Sequence, residues 1–450
     1  MLDQSFTVVN FRKIFDYENR KGCYLEGRYF PEIEIITKKL KTCITEFKTL
    51  NKEKLVLSSK EYEEKKSKLN DKKEKFKEQK ESLLKQELEK ISERISKGDF
   101  CIKLVQVNTP IGKPAYSIEK SDVCTYFLIK QIQYSIKKLY KVQQSNRYNI
   151  ICQLRSLLND SFPKYIIRTD IKEFYESIPR DRLLNRINKD GLLTLTSKKF
   201  IKEILNEYGN ISKSSIGIPR GIGISAYLAE LYMSDFDEAI KKHPEIIFYA
   251  RYVDDIIAIY TPKPNSDSSN LLNEFHKEAK KLALKINTRK TNKVDLTTKR
   301  IGRLEYLGYC FELTEKSIDI KISKNKEKRY KKRIKLTFDA YHKTKLNEKL
   351  SRKLFVKRLR FLTGNTRLSN NKDNTLVGIY FSNSLITNSS SLTELDKFLI
   401  NQISKITSPC KGLKARLKTL TFIEGWSQKK FYKFSPRDLQ EIVKVWKNGA

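Results

Sequence analysis

The stretch FYARYVDDIIAIY, residues 248–260, decides the fold. Two apolar runs that read as β-strands meet there at adjacent carboxylates, Asp254 and Asp255. Successive side chains on a flat strand point to opposite faces, so both acids can serve one site only if the chain turns between the runs. A tight hairpin does that. Asp is also a good turn residue, and for an isolated Asp-Asp pair a plain turn is the ordinary explanation. The rest of the chain has to overturn it.

The 450 residues leave room for two or three domains and a sizeable core. Composition is 39% hydrophobic and 32% charged, with 91 Lys+Arg against 53 Asp+Glu and a net charge of +38. Such an excess implies a polyanionic partner. No apolar run approaches the roughly 20 residues that span a bilayer, and MLDQSFTVVNFRKIF lacks the pattern of a signal peptide. A cytoplasmic protein with no membrane partner is expected. Seven scattered cysteines, never in a CxxC pair, read as free thiols in a reducing compartment. With only three histidines besides, a zinc site is not expected, so any metal would be held by oxygen.

Working outward, GRYFPEIEIITKKLKTCITEF reads as a loop leading into an amphipathic helix. From about 58 to 97 the sequence becomes a charged helical arm, roughly 58 Å long at ~1.5 Å per residue, with a capping box at Ser58 and Glu61 and a stop at Gly98. Tyr62, Leu69, Phe76 and Leu83 form a thin stripe that widens at Leu84, Leu88, Ile91 and Ile95. The arm reads as a solvated helix packed along one edge; a coiled-coil contact or an RNA-gripping arm are the alternatives. From 99 to about 310, strand-like runs (YIIRTDI, FYARYV, IIAIY, LEYLGYCF) alternate with helical patterns (LAELYMSDFDEAI, NEFHKEAKKLALKI). Beyond about 323 the chain is basic and largely helical, interrupted by a polar loop, GNTRLSNNKDN. The spacing predicts an α+β fold in three segments: 1–98, a helical N-terminal extension; 99–310, the mixed core; 311–450, mainly helical.

A second carboxylate ends the short apolar strand in KYIIRTDIKEFYESIP, at Asp170. Then come a Gly-rich turn and helix in GIPRGIGISAYLAELYM, the Asp-Asp hairpin, LALKINTRKT and LEYLGY. In that order and spacing the set resembles the palm of a reverse transcriptase, motifs A through E. The match is close over residues 145–310 and looser in the fingers before and the thumb after. The resemblance implies a right-hand polymerase fold whose palm β-sheet is backed by helices. It also implies RNA-directed DNA synthesis, an RNA template, dNTPs, a DNA product and two Mg²⁺ ions, for which Mn²⁺ can substitute. In that chemistry a primer hydroxyl attacks an α-phosphate in line. Mg²⁺ prefers oxygen ligands, one or two carboxylates per ion. By resemblance Asp170 and Asp254 bridge the metals, Asp255 assists, and Ile171 completes the metal set.

Further roles follow from the same resemblance. Tyr175, five positions after Asp170, matches the steric gate that occupies the place of a ribose 2′-hydroxyl, with Phe174 beside it. An aromatic there argues for dNTPs, where RNA-templated RNA polymerases typically carry Asp. A core aromatic is the other reading. In motif B, Arg220 stands where most reverse transcriptases have Gln, and Ser225-Ala226 replaces a frequent Ser-Pro. Gly217, Gly221 and Gly223 would let backbone approach a nucleotide or template, and Arg220 would hydrogen-bond it. Lys290 matches the motif D lysine, a general acid for the pyrophosphate leaving group, or else a solvated lysine. Glu305–Tyr309, with Gly308 and Tyr309 foremost, match the primer-grip hairpin, and Tyr252 joins them at the primer and template. Lys113 and Lys120 are nucleotide-binding candidates in the fingers, with surface lysines the alternative. The basic residues Arg329 to Lys335, with Lys353, Lys357, Arg358 and Arg360, suit a thumb that contacts a duplex through phosphates.

Within the family, neither a ribonuclease H segment nor an HNH-type endonuclease is recognisable. The Pro-Arg-Gly of motif B, ESIP, RLRFLTGNTRL and VGIYFSNSLIT are similar to bacterial defence-associated enzymes, the unknown-group and abortive-infection-like reverse transcriptases. The opening SFTVVNFRKIFDYENRKG is also similar to antiphage systems that pair two reverse transcriptases with a noncoding RNA. These likenesses imply an antiphage role, a structured noncoding RNA as template, and a second reverse transcriptase or a homo-oligomer as partner. Template-independent DNA synthesis of the terminal-transferase kind and a catalytically minor RNA-binding scaffold are the alternatives.

Overall fold

The computed structural model describes residues 2–54, 57–109, 112–262, 269–343, 348–368, 374–406 and 411–448. The polar segment 369–373 and Cys410 lie outside them. The six described cysteines are free thiols. No helix among the described residues is long and apolar enough to cross a membrane.

The chain opens with helices α1 (Val8–Arg20), α2 (Leu25–Tyr29), α3 (Pro31–Glu53) and α4 (Ser59–Ser96). The capping box forms as the sequence predicts, with Ser58 and Glu61 each satisfying the other's backbone N–H. Helix α4 lies against α3, and its wide stripe of Leu84, Leu88, Ile91 and Ile95 is buried. That stripe joins one hydrophobic core with Phe11 and Phe15 of α1 and the residues behind the central sheet. The first segment is therefore packed into the body of the protein along its proximal half.

A hairpin of β1 (Leu104–Val107) and β2 (Ala115–Ile118) precedes α5 (Val123–Leu139), α6 (Arg147–Asn159) and β3 (Lys164–Asp170). The chain continues through α7 (Phe174–Ser177), α8 (Arg180–Asp190), α9 (Leu195–Ser212) and α10 (Gly223–Lys241) to β4 (Ile246–Tyr252) and β5 (Asp255–Tyr260). Helix α11 (Ser269–Lys281), a 3₁₀ turn at Thr288–Lys290 and β6 (Asn292–Leu296) complete this region. Strands β4, β5, β3 and β6 form, in that order, one antiparallel sheet. Alternation along β3 and β5 sends Tyr165, Ile167, Ile256, Ala258 and Tyr260 into one core and Ile166, Ile257 and Ile259 into a second. A strand buried on both faces reads as a continuous apolar run, which is why YII and IIAIY carry no polar alternation.

The second core is closed by a three-stranded sheet of β7 (Gly302–Tyr306), β8 (Tyr309–Leu313) and β9 (Ile318–Ile322), which runs through position 310. Helices α12 (Lys324–Lys343) and α13 (Glu348–Thr363) follow, then the hairpin of β10 (Asn365–Arg367) and β11 (Leu376–Gly378). Helices α14 (Ser390–Ser404), α15 (Lys411–Lys418), α16 (Phe422–Ser427) and α17 (Pro436–Asn448) end the chain. Two expectations are corrected. The stretch NTR is a strand, because Asn365 pairs with Gly378 and its side-chain amide binds the carbonyls of Gly425 and Lys430. The helical pattern NEFHKEAKKLALKI stops at Lys281: Leu284 N–H bonds back to the Ala279 carbonyl around Ala283 at φ +53°, and Ile286 then bridges Ile171.

Candidate active site

The Asp-Asp stretch forms the tight hairpin that its two apolar runs predict. Tyr252 pairs with Asp255, leaving Val253 and Asp254 as a two-residue turn. Val253 takes φ +61°, an uncommon position for a β-branched residue. Arg251 holds it: its guanidinium donates to the Val253 carbonyl at 2.9 Å. The same guanidinium, 3% exposed, reaches Glu230 and Asp237 of α10 at 2.7 Å each, and Tyr249 donates to Asp237 at 2.6 Å. Burial alone would push the Arg251 guanidinium down, but Asp237 and Glu230 more than offset it and keep the cation charged. The sequence reading missed this clamp. Its signal was an arginine inside an apolar strand, with two acids seven residues apart on one helix face.

In register, Asp170 lies directly opposite Asp255, and Ile171 N–H donates to the Asp254 carbonyl at 3.2 Å. Asp170 and Asp255 therefore share the sheet face of Ile166, Ile257 and Ile259, turned toward β7–β9. Tyr306 ties that sheet to the site by donating to the Asp255 carbonyl at 3.1 Å. Burial, then Asp255 and Asp170, push the Asp254 carboxyl above its ordinary value. Cations offset the crowding elsewhere: Lys290 donates to Asp170 Oδ2 at 2.8 Å, and Arg168 to Asp255 Oδ1 at 2.5 Å. The bond to Asp170 raises the Lys290 ammonium above its ordinary value. Among the described residues no three His, Cys, Asp or Glu groups stand as a ready-made metal cluster. Yet Asp170 Oδ1 is buried without any hydrogen-bond partner, beside a second carboxyl disfavoured as an anion. An all-oxygen donor set with one lone pair unmet fits an oxygen-seeking divalent cation.

Asp254, Asp255, Tyr175, Arg220, Tyr252 and Gly308 line one open cavity of about 560 Å³. Tyr175 sits on the short α7, and the Arg220 guanidinium lies 5.5 Å from its ring centre while pairing with Glu176 at 2.9 Å. Four of the expected groups do not line this cavity. Phe174 is 2% exposed and belongs to the core. The motif B glycines serve close packing within the protein: a Cβ on Gly217 would meet the Glu176 backbone at 2.8 Å, one on Gly221 the Tyr116 carbonyl at 2.7 Å, and one on Gly223 the Gln133 side chain. Tyr309 is buried beneath Arg147 and Lys326, and Leu307 and Gly308 of that turn reach the cavity in its place. Lys113 and Lys120 are exposed on and after the β1–β2 hairpin and do not line the cavity. The cavity wall also contains Arg147, Lys326, Arg329 and Ser382, of which sequence reading had singled out Arg329 alone.

Comparison with known proteins gives one family. Residues 120–311 match the family described as reverse transcriptase (RNA-dependent DNA polymerase). No curated protein sequence matches the chain. Among solved structures the chain is similar to apo telomerase from Candida tropicalis, at 15% identity and a TM-score of 0.38 over 79% of this chain and 67% of that one. A C-terminally truncated form of that protein gives 14% identity and 0.36 over 49% of this chain and 57% of that chain's length. Telomerase from Candida albicans in complex with a fragment of telomeric RNA gives 11% and 0.36, over 80% and 63%. The fold is mixed helix and sheet, and the residues that match the reverse transcriptase family carry its central sheet.

Proposed function

We propose that this protein is an active RNA-directed DNA polymerase that extends a DNA strand on an RNA template with dNTPs. The observation that carries the reading is the register of the central sheet, which sets the Asp254–Asp255 turn against Asp170 inside the residues that match the family. Asp170 and Asp254 would hold two Mg²⁺ ions, with Asp255 beside them and Ile171 fixing the turn through its N–H; Mn²⁺ has the same oxygen preference. Bound there, the pair of ions stabilises the charge that builds on the attacking and leaving oxygens of phosphoryl transfer. In this reading 99–310 supply fingers and palm, 311–450 the thumb, and 1–98 a helical extension.

The side chains divide the remaining work. Tyr175 walls the cavity where a ribose would lie, and Arg220, held by Glu176, keeps its ring in place. Lys290 neutralises Asp170 until substrate arrives and then becomes a proton source near the leaving group. Gly308 and Tyr252 contact the primer and template strands at the cavity edge. The sequence likeness to defence-associated enzymes supports a structured noncoding RNA as template and an antiphage role in the cytoplasm, with a second reverse transcriptase or another copy as partner.

The test supplies labelled dNTPs or NTPs to protein purified with its co-isolated RNA, before and after ribonuclease. Polymer from dNTPs alone, lost with the RNA, is expected. Polymer that survives ribonuclease would indicate template-independent synthesis, and silence with retained RNA would indicate a binding scaffold. In Tyr175→Ala, discrimination against NTPs is expected to fall about tenfold or more, since the wall that excludes a 2′-hydroxyl is gone. Unchanged discrimination in steady-state incorporation would place the gate elsewhere.

A further inference from the structure

Two cations face the three acids, and the fold holds them differently. Lys290 reaches in from solvent: its side chain is 62% exposed and its ammonium donates to Asp170. Arg168 is built into β3, with its side chain 23% exposed, on the sheet face that it shares with Ile166 and Asp170 and that turns toward β7–β9. One of its arms donates to Asp255 Oδ1 at 2.5 Å, the other to the Lys290 carbonyl at 3.4 Å, and its Nε is buried. Asp255 is fixed from its own side as well, in register with Asp170 and with its carbonyl held by Tyr306. The turn that carries Lys290 is tied to β3 at two further points. Asn287 N–H donates to the Asp170 carbonyl at 2.8 Å, and the Thr169 and Thr291 hydroxyls meet at 2.8 Å. A divalent cation arriving at the acids can therefore displace the Lys290 side chain by a swing into water. Freeing Asp255 would instead strand a guanidinium on the sheet, with no other described acid to pair with it.

We infer that Arg168 is a positioning residue of this site: it keeps the Asp255 carboxylate in an ion pair and braces the Asn287–Thr291 turn, so that divalent ions are taken up by Asp170 and Asp254 while Asp255 makes no bond to them. The inference deepens the polymerase reading and rests on it for what the ions do, not for how they are held. Asp170 keeps one oxygen without a partner and a second that only the mobile Lys290 covers. Asp255, by contrast, is engaged by a charge-assisted bond from a planar donor that cannot lose its proton. The ions thus meet two available carboxylates rather than three. Because the same guanidinium reaches the Lys290 carbonyl, Arg168 also fixes the backbone from which the Lys290 side chain swings.

The test uses the full chain and Mn²⁺ as the probe, with free ion counted by its electron paramagnetic resonance signal in titrations into the millimolar range. Binding that disappears in Asp170→Asn is that of the site. Arg168→Gln is expected to tighten it about fivefold or more, since a carboxylate is left uncompensated beside the ions. Asp255→Asn is expected to weaken it by a similar factor, since a guanidinium is left uncompensated. The double variant Arg168→Gln with Asp255→Asn removes the pair whole and should return to within about twofold of wild type. A double variant as weak as Asp255→Asn would make Asp255 a ligand of the ions and overturn the inference; so would single variants that match wild type, or no Asp170-dependent binding in any of them. Thermal melting followed by circular dichroism identifies a variant that has lost its fold, and the double variant, which leaves neither charge unpaired, then decides the matter. No dNTP is present in the titration. A wild type that binds Mn²⁺ in the expected pattern but makes no polymer would sink the polymerase reading and leave the role of Arg168 standing; polymer synthesis by a protein whose double variant stays weak would do the reverse.

Discussion

Asp254→Ala is expected to lower dNTP incorporation by about a thousandfold or more, the scale on which charge stabilisation acts in phosphoryl transfer. Protein yield and affinity for the co-isolated RNA should be unchanged. The separation is possible because the fold uses this residue's backbone and the chemistry its side chain. The Asp254 carbonyl accepts from Ile171 N–H, and Tyr252 pairs with Asp255 across the turn, whichever side chain stands at 254. Removing the carboxyl even relieves crowding, since burial and the acids at 255 and 170 already disfavour its charge. Single-turnover incorporation alongside a filter-binding measurement decides the matter. Activity above a tenth of wild type would remove Asp254 from the reaction, and loss of RNA binding in parallel would make it structural.

Arg251→Met is expected to destabilise the protein by about 3–5 kcal/mol, because Glu230 and Asp237 would remain buried without their shared partner. Glu230 is already pushed toward its neutral form by burial, so little further penalty can be tolerated there. Urea unfolding followed by circular dichroism measures the effect. Combining Arg251→Met with Glu230→Gln and Asp237→Asn should restore much of the lost stability, since the uncompensated charges go together. A loss under about 1 kcal/mol in the single variant would mean that water reaches the cluster. Incorporation should fall in both variants, because the Val253 carbonyl loses the donor that holds the turn in its left-handed conformation.

Much of this architecture is legible in the residues. Strands β3 and β5 announce themselves because a sheet buried on both faces needs unbroken apolar runs, and the carboxylates mark the ends of those runs. The capping box at Ser58 and Glu61 is local and forms as written. What the sequence hides is set by distant partners. The helix that stops at Lys281 carries a helical pattern further, but Ile286 gains a bridge to Ile171, and Lys172 N–H bonds the Lys285 carbonyl. The glycines of motif B look like room for a ligand and are filled by Glu176, Tyr116 and Gln133 from elsewhere in the chain. Arg147 and Lys326 lie 179 positions apart, and no spacing rule joins them; only the shared Ser382 carbonyl does.

The central sheet divides two hydrophobic cores, one built largely from the first 290 residues and the other extending through the C-terminal helices. Ile167 faces one core and its neighbour Ile166 the other, so neither can dissolve without stripping one side of the same strands. A sheet shared in this way makes the two cores melt as a single cooperative unit rather than in succession. The acids at its end thus sit on the part of the molecule that opens last, while the largely exposed first half of α4 and the exposed basic side chains of α12 are free to shift around them.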